Sequence, residues 1–267
     1  MIDPSARIHP SAQLAVDVRI GPWTIIGEGV EIQAGTSIDA HCIIKGPTRI
    51  GTHNRISAFC SIGDDPQDKK FVAGTPTRLE IGHGNTIREY CSINRGTPGG
   101  GGLTTLGDDN WMMAYCHIAH DCHVGNHTIF ANNATLAGHV EIGDYAILAG
   151  FAAVHQFCRL GESSFTAISA VIVKDVPPFV MVEGNTARAR AINREGMRRR
   201  GMTSDIIDAI RRAYKILYRQ GLTVEKAIEE LAPLADQFPD VQRFVQFVSK
   251  SERGIVRCRA PEPRNLS

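Results

Sequence analysis

The chain has 267 residues with nearly balanced charge, 29 Lys and Arg against 28 Asp and Glu, and it is poor in aromatic residues (6%) but contains 26 Gly. This length can bury a core without cross-links, and no apolar run reaches membrane-spanning length, which argues against an integral membrane segment. Seven Cys, an odd number, in a chain that opens on Met1-Ile2-Asp3-Pro4 with no secretory leader predict reduced thiols and a cytoplasmic protein.

An aliphatic residue recurs at every sixth position along most of the chain. The series runs from Ile2 to Ile62, and after two one-residue shifts of phase it resumes at Ile81 and at Leu106. A period of six is typical of a solenoid with three flat faces and about 18 residues per coil, whose coils stack at about 4.8 Å. The repeat therefore predicts a parallel β-helix over residues 1–187.

Two segments interrupt the repeat, and both are predicted to be external loops. Residues 64–77 are polar and charged, whereas residues 97–104 are Gly-rich, with the sequence TPGGGGLT. The second segment lacks the Lys-Ser/Thr ending and the following helix of a phosphate-binding loop, so we interpret it as a flexible surface loop. If the two interruptions are treated alike, Ile62 shares a face with Ile118, and the charged loop leaves the solenoid on the side of the histidines described below.

The repeat is predicted to end at Asp175-Val176-Pro177-Pro178, because two prolines cannot continue a strand ladder. Residues 188–267 are predicted to form a helical C-terminal domain, with helices starting after Thr203 or Ser204, after Thr223 and near Val241, and with a loose tail after Arg253. Residues 1–187 hold 12 Lys and Arg against 18 Asp and Glu, whereas residues 188–267 hold 17 against 10. This excess suggests that the C-terminal domain meets an anionic partner, although a solvated helix surface would give the same excess.

Six of the ten histidines lie between residues 117 and 155, and the stacking rule brings several of them to one corner. The predicted cluster, spread over about two coils, contains His120, Asp121, Gly138, His139, His155 and Gln156. His120 could act as a general base held by Asp121, because imidazole titrates near neutral pH. The run from Cys116 to His123 also contains zinc-ligand types, but Cys116 and Cys122 fall at positions where small buried side chains fill a corner. We therefore favour a base over a metal.

Several runs of sequence closely resemble the UDP-N-acetylglucosamine O-acyltransferases that begin lipid A synthesis in Gram-negative bacteria. The matching runs are HIAHDC (117–122), FANNATLAGHVEIGD (130–144), AVHQFC (153–158), DVPPF (175–179), EGN (183–185), NREGMRRRG (193–201) and AIRRAYKILYR (209–219). The resemblance covers nearly the whole chain and is more specific than the repeat, which many acyltransferases share. It implies a left-handed β-helix homotrimer with active sites between subunits.

The resemblance also implies a reaction and a set of residues. An (R)-3-hydroxyacyl group would move from acyl carrier protein, where phosphopantetheine holds it, to the 3-hydroxyl of UDP-N-acetylglucosamine, with no other cofactor, no metal and no nucleic acid. His120 matches the general base, Asp121 the residue that follows it, and Gly138 the donor of a backbone N–H to the oxyanion. Substrate-contacting positions match Gln67, Asp68, Lys70, His117, His139, His155 and Gln156, and the nucleotide- and carrier-binding segment matches Asn193, Glu195, Arg199 and Arg200.

Some positions depart from the family pattern, and other functions share the scaffold. Asn94 and Thr186 stand where some relatives carry His, and Val72 resembles a one-residue insertion. The alternatives are a γ-type zinc carbonic anhydrase-like hydratase, whose chains usually lack a helical cap, and the N-acyltransferase of the same pathway, which carries an extra N-terminal uridine-binding domain. Ile168 aligns with a Gly of relatives that accept longer acyl chains, so the resemblance implies that it limits chain length.

Overall fold

The computed structural model describes residues 1–258, which form a left-handed parallel β-helix followed by four α-helices. This confirms the fold class that the repeat and the resemblance predicted. No helix among residues 1–258 is long and apolar enough to cross a bilayer.

The solenoid is built from 27 short strands, most of them two residues long. In chain order they are β1 Arg7–Ile8, β2 Gln13–Leu14, β3 Arg19–Ile20, β4 Ile25–Ile26, β5 Val30–Ile32, β6 Ser37–Ile38, β7 Ile43–Ile44, β8 Thr48–Ile50, β9 Arg55–Ile56, β10 Ser61–Asp64, β11 Arg78–Ile81, β12 Thr86–Ile87, β13 Ser92–Asn94, β14 Leu103–Leu106, β15 Trp111–Met112, β16 His117–Ile118, β17 His123–Val124, β18 Ile129–Phe130, β19 Thr135–Leu136, β20 Glu141–Ile142, β21 Ile147–Leu148, β22 Ala153–Val154, β23 Arg159–Leu160, β24 Phe165–Thr166, β25 Val171–Ile172, β26 Val180–Glu183 and β27 Arg188–Ile192.

The strands form three sheets, one on each side of a triangular prism. Face 1 runs from β1 through every third strand to β25, face 2 from β2 to β23, and face 3 from β3 to β24 and then β26 and β27. Among these strands, only β26 and β27 pair antiparallel. We call the edges corner 1–2, corner 2–3 and corner 3–1 after the faces that they join. Non-Gly residues at the corners adopt left-handed backbone conformations, such as Asp121 (φ 57°) and His139 (φ 62°) at corner 1–2.

The core is a set of aliphatic columns inside the prism. On face 1, Ile62 pairs with Ile93 and Ile93 pairs with Ile118, and all three are fully buried. This confirms the predicted register across both interruptions. Burying each such side chain contributes about 1.5–3 kcal/mol, so the columns set the register of everything attached to the corners.

Both interruptions leave the solenoid at corner 1–2, as residues 65–77 between β10 and β11 and residues 95–102 between β13 and β14. The charged loop therefore lies on the predicted side. The predicted end of the Gly-rich loop at residue 104 is wrong by two residues, because β14 begins at Leu103 and the buried Thr104 pairs with Leu79 in face 2.

The sheet continues beyond the two prolines, so the predicted end of the ladder is wrong. Val176 forms a bridge with Leu160, and β26 pairs with β24 on face 3. Pro177 and Pro178 lie at the corner between these pairings, where no ladder N–H is needed. Strand β27 also lies past residue 187; the division into domains 1–187 and 188–267 stays a prediction.

The helices are α1 Arg194–Arg199, α2 Ser204–Arg219, α3 Val224–Gln237 and α4 Pro239–Ser249. Thr203 and Thr223 cap α2 and α3 through their side-chain oxygens, as the sequence predicted. The prediction of a loose tail is wrong for residues 254–258, because Ile255 and Val256 are buried and Ile255 forms a bridge with Asp175. The remaining residues, 259–267, lie outside the described part of the chain.

Candidate active site

His120 and Asp121 form a hydrogen-bonded pair at corner 1–2. His120 Nδ1 lies 2.8 Å from Asp121 Oδ2, and both residues are buried, at 8% and 2% exposed. An ionised carboxylate can only accept a hydrogen bond, so Nδ1 carries the proton and Nε2 keeps its lone pair. The arrangement therefore makes Nε2 the basic atom of the pair.

Thr97 holds the carboxylate of Asp121 from the other side. The Thr97 backbone N–H donates to Oδ1 at 2.8 Å, and its hydroxyl donates to Oδ2 at 2.6 Å. The backbone N–H of Asp121 in turn donates to Thr104 Oγ1 at 2.8 Å. Because both oxygens are occupied, the carboxylate has little freedom to rotate away from His120.

Gly138 stands one coil above His120, as the stacking rule predicted. A Cβ atom at this position would lie 2.5 Å from His120 Cε1 and 2.8 Å from Nε2, so a side chain here would displace the ring. The buried backbone N–H of Gly138 has no acceptor among residues 1–258. An N–H group is thus free beside the basic nitrogen, where an oxyanion-binding donor would be useful.

Two more histidines border the pair. His139 packs edge-on against His120 with ring centroids 5.1 Å apart, stacks on Phe157 at 4.4 Å, and places Nε2 3.7 Å from Asp121 Oδ2. His117 Nδ1 lies 2.7 Å from Ser92 Oγ. Burial lowers the pKa of His139, with the charge of Asp121 opposing it, and burial followed by the charge of His120 lowers the pKa of His117. Both rings are therefore suited to neutral hydrogen bonding.

His155 and Gln156 lie one coil higher and are exposed. Arg253 reaches His155 from the C-terminal segment, with its guanidinium 3.3 Å from Nδ1 and 3.4 Å from the carbonyl oxygen of Val173. Sequence analysis missed Arg253 because it lies 98 residues from His155, at the start of a tail that was expected to be loose.

The charged loop faces the same corner. The charge of Asp68 is one of those that oppose the lowering of the His139 pKa by burial, and Asp68 Oδ1 accepts the backbone N–H of Lys70 at 2.9 Å. Gln67 and Lys70 are exposed. The base of this loop is held by Arg95, a buried side chain that contacts Asp65 and the carbonyl oxygens of Gly46 (2.7 Å) and Gly63 (3.2 Å). Sequence analysis also missed Arg95.

The predicted nucleotide- and carrier-binding segment lies at corner 2–3, and a single chain does not bring it to His120. The guanidinium of Arg200 stacks over the Tyr145 ring at 3.8 Å and contacts Ser163 Oγ. Glu195 and Arg199 are exposed and form an ion pair at 3.0 Å. Asn193 is buried; its oxygen accepts the N–H of Gly196 at 3.0 Å, and its amide N–H donates to Ser163 O at 2.9 Å, so it caps α1.

A cavity of about 560 Å³ opens between face 2 and residues 250–253. Its lining includes Asp121, His139 and Phe157, but neither His120 nor Gly138. In a single chain the reactive edge of His120 therefore lies outside the most enclosed space near the pair.

A metal centre fits the donor set poorly. Ligand atoms of His120, Asp121 and His139 lie within 4.8 Å of one another. The Asp121 oxygens, however, already accept three hydrogen bonds, which a metal would have to displace. Cys116 and Cys122 are buried in the core, and burial raises the pKa of Cys122 to about 12, so neither offers a thiolate ligand.

Comparisons with known proteins agree on one family. The family model described as UDP N-acetylglucosamine O-acyltransferase, domain 2, matches residues 175–256, and the model described as bacterial transferase hexapeptide (six repeats) matches residues 103–138. The acyl-[acyl-carrier-protein]–UDP-N-acetylglucosamine O-acyltransferase of Stutzerimonas stutzeri is 55% identical over 96% of this chain and 99% of its own length.

Solved structures give the same result. LpxA from Acinetobacter baumannii superposes with a TM-score of 0.93 at 47% identity, covering 96% of this chain and 99% of that one. The UDP-N-acetylglucosamine acyltransferase of Francisella novicida superposes with a TM-score of 0.95 at 40% identity, covering 98% of this chain and 95% of that one.

Proposed function

The chain belongs to the family of UDP-N-acetylglucosamine O-acyltransferases, and we propose that it transfers an (R)-3-hydroxyacyl group from acyl carrier protein to the 3-hydroxyl of UDP-N-acetylglucosamine, the first step of lipid A biosynthesis, with His120 as general base. The donor brings its own phosphopantetheine, so the chain needs no resident cofactor for this reaction. A cytoplasmic location fits substrates that are both water-soluble.

The chemistry follows from the geometry of the pair. His120 Nε2 takes the proton of the sugar hydroxyl as its oxygen attacks the thioester carbonyl, and Asp121 stabilises the imidazolium that forms through Nδ1–H. The carbonyl oxygen becomes an oxyanion, which the N–H of Gly138 can stabilise; one such donor contributes about 3 kcal/mol in the transition state. When the carbon–sulfur bond breaks, His120 returns the proton to the departing thiolate.

The single observation that carries this proposal is the orientation of His120. Its Nδ1 is engaged by a carboxylate that Thr97 holds in place, and the Cε1–Nε2 edge of the ring lies against Gly138, whose backbone N–H has no acceptor among residues 1–258. A base and an oxyanion donor within one coil of each other are what acyl transfer to an alcohol requires, whereas a hydratase requires an accessible metal.

The substrate-binding residues support an active site between subunits of a homotrimer. Asp68, His139, His155 and Gln156 gather at corner 1–2, whereas Glu195, Arg199 and Arg200 lie at corner 2–3 of the same chain. A neighbouring copy could supply the second group to the first. The exposed Arg199 then suits a diphosphate or an acidic carrier protein, because guanidinium binds phosphate and carboxylate in a bidentate manner.

The asparagine of this segment has a different place in the proposal. Both ends of the Asn193 amide are engaged in the cap of α1 and in the contact with Ser163, so we assign Asn193 to orienting α1 rather than to contacting substrate. The guanidinium of Arg200 is stacked on the Tyr145 ring, so only the edge that the ring does not cover can contact a ligand.

The test is an assay of UDP-N-acetylglucosamine with 3-hydroxyacyl carrier proteins of graded chain length. His120→Ala should keep its fold and lose about 10²–10⁴-fold in turnover. The matched control is His53→Ala, an exposed histidine at corner 2–3, which should keep wild-type turnover. A loss below about tenfold for His120→Ala would show that another group accepts the proton, and stoichiometric zinc without acyl transfer would favour the hydratase.

A further inference from the structure

The Gly-rich loop, residues 95–102, packs directly against the carboxylate of Asp121. A Cβ atom on Gly100 would overlap the Asp121 carboxylate carbon and both of its oxygens, and a Cβ atom on Gly96 would lie 2.8 Å from Oδ1. At Gly96 the backbone of residues 102–103 would lie closer still, whereas at Gly100 the three nearest atoms all belong to the carboxylate. Gly100 is therefore explained by contact with Asp121 rather than by flexibility.

The loop is also held in shape by its own hydrogen bonds. The carbonyl oxygen of Thr97 accepts the N–H of Gly100 at 3.0 Å and the N–H of Gly102 at 2.8 Å, around a short 3-10 turn at Pro98–Gly100. The same residue directs its own N–H and hydroxyl to the two oxygens of Asp121. Thr97 thus joins the turn to the carboxylate, and the turn covers Asp121 until only 2% of it is exposed.

A phosphate-binding role for this loop is disfavoured by the same contacts. The Thr97 N–H and hydroxyl are both donated to Asp121, so neither is free to bind a phosphate. A phosphate in that place would also meet the negative charge of the carboxylate, because Asp121 lies directly beneath Gly100.

We propose that the Gly-rich loop is a positioning element for the catalytic pair, with Thr97 as the positioning residue, and that it acts on turnover through Asp121 and His120. By covering Asp121, the loop keeps water from its oxygens, which strengthens the hydrogen bond to His120 Nδ1. By occupying both oxygens, it fixes the direction in which Nε2 presents its lone pair. This inference rests on the proposed role of His120 as the base.

The test compares Gly100→Ala with Gly99→Ala in the full chain. A Cβ on Gly99 meets nothing within 4 Å, so Gly99→Ala is a matched control in the same turn. Gly100→Ala should lower kcat by about tenfold to hundredfold, because a displacement of about 1 Å in a catalytic group costs that much, while KM for both substrates changes by less than about threefold. Thr97→Val should lower kcat similarly, whereas Thr97→Ser, which keeps the hydroxyl, should have a kcat close to that of the wild type.

A second measurement makes the outcome independent of substrate. The Nδ1 proton of His120, held against Asp121, should give a downfield resonance in protein with ¹⁵N-labelled histidine. Gly100→Ala and Thr97→Val should weaken or shift this resonance, and Gly99→Ala should leave it in place. Thermal melting identifies any variant that fails to fold. If Gly100→Ala does not fold, the comparison of Thr97→Val with Thr97→Ser tests the proposal in its place.

The proposal is overturned if Gly100→Ala and Thr97→Val keep both the kcat and the His120 resonance of Gly99→Ala. It is also overturned if their loss appears in KM alone. A wild-type protein that transfers no acyl group to UDP-N-acetylglucosamine would refute the proposed function instead, and the resonance would still report on the loop.

Discussion

Replacing Ile168 by Gly should lengthen the acyl chain that the enzyme prefers. Ile168 lies at corner 3–1 and is 70% exposed in the single chain. Gly150 occupies the same corner one coil below, and its carbonyl oxygen accepts the N–H of Ser169 at 2.9 Å. The corner therefore accepts Gly without strain, and the substitution should leave the fold intact.

The size of the effect follows from the volume removed. The Ile side chain has four carbons, enough to displace about two methylenes of a substrate chain that runs past the corner. Each methylene left unburied forfeits about 0.8 kcal/mol, close to a fourfold change in preference, so two correspond to roughly 15-fold. Ile168→Gly should shift kcat/KM toward acyl chains about two methylenes longer by that factor.

The assay measures kcat/KM for a series of 3-hydroxyacyl carrier proteins at saturating UDP-N-acetylglucosamine. Ile168→Leu, which keeps the bulk, is the control and should retain the wild-type profile. The KM for the UDP-sugar should not change, because the substitution removes only apolar side-chain atoms at corner 3–1, whereas the predicted sugar- and nucleotide-binding residues lie at corners 1–2 and 2–3. An unchanged chain-length profile in a folded Ile168→Gly protein would mean that the chain is stopped elsewhere.

Three other measurements test the remaining parts of the site. Gly138→Ala should lower turnover by about 10²-fold, because its Cβ would stand 2.5 Å from His120 Cε1 and displace the ring. A kcat within twofold of wild type in steady-state kinetics would show instead that the ring tolerates the methyl group. Raising the ionic strength from about 0.01 M to 0.15 M shortens the screening length from about 30 to 8 Å and should therefore raise KM for the carrier protein. This rise in KM should be smaller in Arg199→Ala than in the control Arg7→Ala. Equal salt dependence in both variants would mean that Arg199 does not contact the carrier protein. Folding lowers the pKa of His117 and His139, so the unfolded chain binds protons at higher pH than the folded one, and stability should fall as pH drops below about 6.5. The melting temperature of His117→Asn should depend less steeply on pH than that of the wild type. An identical pH dependence would contradict a contribution from His117.

The six-residue repeat was enough to predict the β-helix and the stacking of distant residues. Coil length alone placed Gly138 above His120 and His139 above Asp121, because one residue's place in the period fixes its corner. The side of the charged loop followed from the same argument, through the column of Ile62 and Ile118.

The period cannot describe residues that leave it. Thr97 lies in a segment with no repeat, 24 residues from the carboxylate that it binds, and composition alone suggested a flexible loop. Arg95 and Arg253 lie 30 and 98 residues from Asp65 and His155. Asn193 was placed in the nucleotide- and carrier-binding segment by resemblance, which stays a prediction, and the sequence did not indicate that its amide caps α1. In each case a side chain found its partner through tertiary packing, which periodicity does not encode.

Rigidity is distributed unevenly over the proposed site, and this distribution matches the roles of its parts. His120 and Asp121 are buried, satisfied by hydrogen bonds and seated on a corner whose position the aliphatic columns fix, so the acid–base geometry exists before substrate arrives. Gln156, Lys70 and Arg199 are exposed, so their side chains can adapt to a sugar nucleotide or a carrier protein. Substitutions beneath the pair should therefore act on kcat, whereas substitutions among the exposed residues should act on KM, and the loop variants at Thr97 and Gly100 test the first half of that division.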